Sequence, residues 1–210
     1  MDKKGILLIV SGFAGSGKGT LMKELTSRYD NYALSISATT REARPGEADG
    51  KDYFFIARDK FEEMIEKGEL LEHACYVGNY YGTPRAFVEK MLDEGKDVIL
   101  EIETQGALKV KEILPDALLL FVLPPSVPEI YKRLKKRGTE TEEIIRKRME
   151  RGEQEARDML AYDFLVVNDD LEECVTRLHY TVQSAKYSIS RNLGFISDIQ
   201  QQFHDYLKGE

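Results

Sequence analysis

Cysteine is scarce and tryptophan is missing altogether: of 210 residues only Cys75 and Cys174 are thiols, far apart and in no spacing that holds a metal. A disulfide framework and a zinc site are thereby excluded, and both thiols are expected to be reduced and structural, as in a reducing compartment. Long hydrophobic runs are missing too. The longest, Ala117 to Leu123, stops at Pro124-Pro125, far short of the roughly 18 residues or more that span a bilayer. Ile6 to Val10, behind Met1-Asp2-Lys3-Lys4, is too short for the core of a signal peptide, so a soluble, cytoplasmic protein is expected. Nor is positive charge in excess. Lys and Arg number 30 against 37 Asp and Glu, a net charge of -7, which argues against general binding to nucleic acid or an anionic membrane. What is present, 42% apolar residues, suffices for one substantial core in a single domain.

Short apolar runs alternate with longer segments of helical period, the pattern of an α/β protein with a central parallel sheet. Ile6 to Ser11, Asp97 to Ile102, Ala117 to Leu123 and Phe164 to Val167 are continuous, Leu-rich or β-branched runs, as expected of strands covered on both faces. Ala33 to Ser37 is a fifth, weaker strand. Helices are expected at Leu21, Met22 and Leu25, behind an Asp59-x-x-Glu62 capping box, and behind Ser126-x-x-Glu129. Between Ala38 and Thr83 the texture becomes polar and aromatic, with alternation from Leu70 to Tyr76, which predicts a small β-rich insertion. Arg137 to Glu143 is a second polar excursion, between two helices.

Gly12-Phe13-Ala14-Gly15-Ser16-Gly17-Lys18-Gly19-Thr20 follows the first strand and opens a helix, the context a phosphate-binding loop requires. Glycines let backbone N–H groups turn inward around phosphate oxygens, the helix adds its positive end, and Lys18 supplies a charge at the β- and γ-phosphates. The usual pattern places Ser or Thr directly after the lysine. Here Gly19 intervenes, an ending that resembles adenylate kinases, so Thr20 becomes the candidate hydroxyl for magnesium or phosphate, directly or through water.

A kinase also needs an acceptor site. Ser37-x-x-x-Arg41-x-x-Arg44 and Gly50-x-x-Tyr53-x-Phe55 offer forked guanidinium donors and an aimed hydroxyl, a combination suited to a monophosphate, although two isolated loop arginines are more often merely solvated. Glu72 then precedes Val77-Gly-Asn-Tyr-Tyr81-Gly-Thr83. A carboxylate in the plane of guanine accepts from N1–H and the 2-amino group, whereas adenine leaves it unpaired; such sites reject the wrong ligand by roughly 10⁴ to 10⁵-fold. Taken alone, Glu72 also fits an outward polar residue of an alternating strand.

On these motifs the chain resembles the guanylate kinases, over roughly residues 5 to 180. The resemblance implies a P-loop NTPase three-layer fold with core segments 1–36, 84–128 and 157–210, a GMP-binding insertion at 37–83 and a helical lid at 129–156. It implies transfer of the γ-phosphoryl of ATP to GMP, with Mg2+, and with dGMP as a further acceptor. Ser37, Glu72 and Thr83 would bind guanine, and Arg41, Arg44, Tyr53 and Tyr81 the GMP phosphate. Glu101 would lie near guanine and Glu103 near the metal, although the family usually has Asp at the second position and Glu103 is longer by a methylene. Arg137 and Arg148 match the lid's two phosphate-contacting arginines, and Asn168, in Val166-Val-Asn168-Asp169-Asp170, matches an adenine-side asparagine. Asn168 also fits a helix cap, for which Asp169 or Asp170 is better suited. Two other readings stay open: a phosphopeptide-binding module built on the same fold, and a related kinase with another acceptor. Tyr187 to Glu210 reads as an amphipathic helix whose spacing is equally compatible with covering the core and with pairing to another subunit.

Overall fold

The computed structural model describes residues 4–76, 78–136 and 141–209. In chain order the elements are β1 (Leu7–Gly12), α1 (Lys18–Arg28), β2 (Tyr32–Leu34), β3 (Ala38–Thr39), β4 (Phe54–Phe55), α2 (Arg58–Glu66), β5 (Leu70–Tyr76), β6 (Asn79–Pro84) and α3 (Arg85–Asp93). There follow β7 (Asp97–Glu101), α4 (Thr104–Ile113), β8 (Leu118–Leu123), α5 (Val127–Lys136), α6 (Glu142–Asp158), β9 (Phe164–Val167), α7 (Leu171–Ala185) and α8 (Leu193–Lys208).

Five strands form a parallel sheet in the order β2-β7-β1-β8-β9. Strand alternation feeds two separate cores. Ile6, Leu8 and Val10 point to one face, against Leu21, Met22 and Leu25 of α1 and Val175, Leu178 and Val182 of α7. Leu7 and Ile9 point to the other, against Val88 and Leu92 of α3 and Ala107 and Val110 of α4. The sheet is therefore apolar on both sides, which is why its central strands read as continuous runs.

The other four strands make a second sheet, β4-β3-β6-β5, closed by α2 over a small core of Ala38, Phe61 and Leu70. This is the β-rich segment foreseen between Ala38 and Thr83. At the other side of the phosphate loop, Ile130 and Leu134 of α5 and Ile145 of α6 pack on Phe13 and Phe121.

Local expectations met the structure unevenly. The Asp59 capping box does not form: α2 is capped by Ala57 without a side-chain bond, Asp59 sits inside the first turn, and Glu62 pairs with Arg58. Glu129 likewise turns to Arg133, four residues on, where its charge has a partner. Asp170 caps α7, accepting from the Glu173 N–H at 3.0 Å. Only Cys174 is a buried structural thiol; Cys75 is free and exposed. Helix α8 has no buried residue and leaves Leu193, Phe203, Tyr206 and Leu207 exposed, so it does not cover the core. Among the described residues no helix is long and apolar enough to cross a membrane.

Candidate functional site

Two cavities open at the carboxyl ends of β1 and β7, where ligands collect in open α/β sheets. One, of about 570 Å³, lies between the phosphate loop and α6 and is lined by Gly12, Lys18, Arg148, Arg151 and Glu155. The second, of about 390 Å³, lies under the insertion and is lined by Ser37, Tyr53, Glu72 and Tyr81. Glu101, Ile102 and Glu103 line both, so the end of β7 is a shared wall.

The phosphate loop is forced by glycine at both ends. Gly12 has φ 151°, and a Cβ there would fall 2.0 Å from the Val122 carbonyl; Gly17 has φ 88°, and a Cβ would lie 2.5 Å from Asn168 Nδ2. Helix α1 begins on Gly17 with no side-chain cap and no acidic residue in its first turn, so its positive end has no carboxylate of its own to compete with an anion. Lys18 Nζ donates to the carbonyls of Gly12 at 2.6 Å and Phe13 at 3.2 Å, so the ammonium is folded over the loop it serves. Thr20 is exposed in the first turn of α1. Ser16 is buried, with a hydroxyl that has no hydrogen-bond partner.

Two side chains from outside the loop brace it. Asn168 Nδ2 donates to the Ser16 carbonyl at 2.8 Å, and Arg133 donates to that same carbonyl at 3.3 Å and to the Asn168 carbonyl at 3.0 Å. The amide of Asn168 is thus spent on the protein's own backbone, beneath the loop. The basic run from Lys132 to Lys136 divides accordingly: Lys132 and Lys135 face solvent, while Arg133 turns inward.

Below the insertion, Thr83 is fully buried and its hydroxyl donates to Glu72 Oε1 at 2.7 Å. Burial pushes the Glu72 carboxyl above its ordinary range, the Thr83 bond opposes this, and the Glu103 charge adds to the rise. Arg41 forks onto Glu47, with two N–O distances of 2.9 Å, and its guanidinium lies 5.4 Å from the Tyr53 ring centre and 5.7 Å from that of Phe55. The Tyr53 and Tyr81 rings meet edge to face at 6.1 Å. Arg44 joins the group through its backbone N–H, which donates to Glu47 at 2.7 Å, while its residue is exposed.

On the shared wall, burial raises the Glu101 carboxyl and the Lys18 charge lowers it. Glu103 accepts from Arg151 Nη2 at 2.6 Å. The structure thus gathers Lys18, Glu101, Glu103 and Arg148 around one cavity and Ser37, Tyr53, Glu72, Tyr81 and Glu101 around the other. Arg137 and Val77 lie outside the described residues. Glu47, Arg133, Arg151 and Glu155 were not singled out in the sequence. Glu47 had a signal, since it continues the spacing Arg41-x-x-Arg44-x-x-Glu47; the other three sit among many helix charges with nothing to mark them.

Among the described residues no group of three His, Cys, Asp or Glu side chains is placed to hold a metal. A hydroxyl such as Thr20 and a single carboxylate such as Glu103 do fit a magnesium ion that keeps most of its shell from phosphate and water.

Comparison with known proteins agrees with this geometry. The family model described as guanylate kinase matches residues 4–185. A guanylate kinase of Lactococcus lactis is 49% identical over 91% of this chain and 93% of its own length. One of Halalkalibacterium halodurans is 53% identical over 85% and 88%. The crystal structure of guanylate kinase from Anaplasma phagocytophilum superposes with a TM-score of 0.70 at 33% identity, covering 90% of this chain and 89% of that one. With its parallel sheet, its Gly-rich loop and these relatives, the chain has the P-loop kinase fold and belongs to the guanylate kinase family, which makes it a phosphotransferase acting on a nucleoside monophosphate.

Proposed function

We propose that the chain binds MgATP in the cavity beside the phosphate loop and GMP in the cavity under the insertion, and transfers the γ-phosphoryl group between them to give ADP and GDP. The observation that carries this assignment is the wall at Glu101 to Glu103, which both cavities share, so that two phosphates bound on either side face each other.

A GMP phosphate oxygen attacks the γ-phosphorus in line. The new P–O bond forms as the bond to the β,γ-bridging oxygen breaks, and that electron pair stays on ADP. The acceptor phosphate is already largely ionised near neutral pH, so no general base is needed and catalysis rests on positioning and charge. In this reading the loop from Gly12 to Thr20 cradles the donor phosphates, Lys18 leaves its carbonyls to reach the β- and γ-oxygens, and Arg148 with Arg137 closes over the transferred group. Thr20 and Glu103 would hold, directly or through water, the magnesium ion that arrives with ATP, which would offset phosphate charge. Asn168 serves the donor by holding the loop in shape.

On the acceptor side Glu72, held by Thr83, accepts from guanine N1–H and the 2-amino group, with Ser37 and Glu101 beside it. Arg41, Arg44, Tyr53 and Tyr81 take the GMP phosphate, and Glu47 aims Arg41. Nothing in this set requires the 2′-hydroxyl, so dGMP is proposed as a second acceptor. The insertion 37–83 and the lid 129–156 are the moving parts over the core, and closure excludes water that would otherwise consume ATP. The net charge of -7 supports a protein that meets anions only locally, without nucleic-acid binding, and the two free cysteines support a cytoplasmic setting. A coupled assay of ADP formation with GMP, AMP, CMP or UMP tests the assignment: turnover confined to GMP is expected, and turnover with AMP at a similar rate refutes the role of Glu72.

A further inference from the structure

Arg151 occupies an unusual position for a helix-surface cation. It rises from α6 into the donor cavity that Lys18, Glu101 and Arg148 also line. There its guanidinium holds two carboxylates from different parts of the fold. Nη2 reaches Glu103 Oε2, beyond the end of β7, at 2.6 Å, and Nε reaches Glu155 Oε1, one turn along the same helix, at 3.1 Å. The two partners are not equivalent. The Glu155 side chain is only 15% exposed, whereas that of Glu103 is 70% exposed and that of Arg151 is 50%.

A guanidinium carries five donors in a planar fork, so it can keep one partner while exchanging another. The bond to Glu155 lies within one helix, is sheltered, and survives any movement of α6. The bond to Glu103 bridges the cleft between α6 and the sheet, and ion pairs this exposed are held by a small free energy. An incoming triphosphate presents oxygens of higher charge density to the same fork, in a cavity that already places Lys18 on the opposite side.

We propose that Arg151 is a third phosphate-contacting cation of the lid, which exchanges Glu103 for a γ-phosphate oxygen of ATP while Glu155 holds it from behind. The contact with Glu103 keeps α6 near the cleft before the donor arrives, and the exchange leaves Glu103 free to face the metal side of the donor. This inference rests on the donor-site assignment above and adds to it a residue that senses the third phosphate.

The test compares a non-hydrolysable β,γ-imido analogue of ATP with ADP, each titrated with magnesium into the full chain by calorimetry. Binding of both nucleotides to the wild type checks the donor site itself, independently of Arg151. In Arg151→Gln the analogue is expected to bind roughly 10-fold more weakly or worse, the range for a lost hydrogen bond to a charged group, with ADP affinity changed less than about 2-fold on the same scale. kcat should fall by a similar factor or more, with KM for GMP unchanged. Arg151→Lys, which keeps the charge and loses the fork, should lie between the two, and it carries the same comparison if the glutamine variant does not fold. Equal loss of ADP and analogue affinity would reduce Arg151 to a support of the loop or lid and overturn the proposal, as would wild-type kcat in either variant.

Discussion

The cavities proposed for the acceptor and the donor share a wall but are built in opposite ways. Around the acceptor the polar groups are paired in sheltered positions before any ligand arrives: Thr83 on Glu72, with the hydroxyl fully buried, and Arg41 on Glu47 at side-chain exposures of 14% and 21%. Around the donor the cross-cleft pair is Arg151 on Glu103, at 50% and 70%. The difference follows from the two tasks. Choosing a base requires polar groups that cannot relax when the wrong base enters, because the penalty for an unpaired buried group is what discriminates. Moving a phosphoryl group requires charges that change partners during each cycle, and exposed ion pairs are cheap to break.

The largest effect should come from the donor side. Lys18→Ala removes the only side-chain charge within the loop itself and is expected to lower kcat by roughly 10²-fold or more, the range for loss of one electrostatic contact to a transition state. Its far-UV circular dichroism should match the wild type, since the loop carbonyls that Lys18 Nζ meets can be served equally well by water. A loss smaller than tenfold would break the comparison by showing that the donor charges are redundant.

On the acceptor side, Glu72→Gln keeps the shape and replaces one acceptor oxygen by a donor. kcat/KM for GMP should fall by about 10² to 10³-fold, and the lead of GMP over AMP should shrink with it. An unchanged preference would mean that the sheltered Glu72–Thr83 pair is structural. Tyr81→Phe is milder, weakening GMP by about 1.5 to 3 kcal/mol through one lost bond to a charged phosphate. Calorimetric titration with GMP measures it directly, and full affinity in the variant would remove that hydroxyl from the phosphate site.

Asn168→Ala sharpens the contrast from beneath the loop. It removes the 2.8 Å bond to Ser16 but leaves Arg133 on the same carbonyl. A stability loss of about 1 kcal/mol is expected, seen as a drop of roughly 2 to 4 °C in melting temperature. The loop should also bind ADP less tightly. Unchanged ADP affinity alongside a lower melting temperature would confine Asn168 to holding the fold.

Much of this was legible in the residues, and what was hidden has a physical pattern. The buried strands announced themselves because both faces are covered, and the phosphate loop because its glycines are sterically required at Gly12 and Gly17. Glu72 stood out as a carboxylate suited to guanine, although alone it also fits an outward strand residue; Thr83 came only with the resemblance to the guanylate kinases, and the bond between the two was not legible, because Thr is an ordinary strand residue. Arg133 and Arg151 were not visible. Each lies in a helix rich in exposed charges, and the packing of α5 and α6 on Phe13 turns Arg133 inward and brings Arg151, itself half exposed, to the rim of the cavity. The capping box at Asp59 failed for a different reason: the helix starts on Ala57, two residues earlier, which leaves Asp59 inside the first turn and Glu62 beside Arg58.

The smallest effect lies away from both cavities, beside the first residue of β2. His179 of α7 stacks on Tyr29 at 3.7 Å, and its Nδ1 lies 3.0 Å from the Tyr32 hydroxyl. Burial lowers its pKa below the ordinary histidine value; the Asp97 carboxylate opposes the shift and the Lys186 ammonium adds to it. The unfolded chain therefore binds a proton here more readily than the folded one, so this group's contribution to stability is present above the ordinary histidine range and is lost as pH falls through it. His179→Gln keeps a hydrogen-bonding side chain and removes the titration. Between about pH 7.5 and about pH 5, a window set by the ordinary histidine pKa, the wild type should lose melting temperature faster than the variant, and any advantage it has at the upper end should narrow. The rate of phosphoryl transfer relative to its own optimum should stay the same in both proteins, because His179 touches neither cavity. A constant gap in melting temperature across that range would show that the imidazole titrates alike in folded and unfolded chains, and that stacking on Tyr29 does not shield it from water.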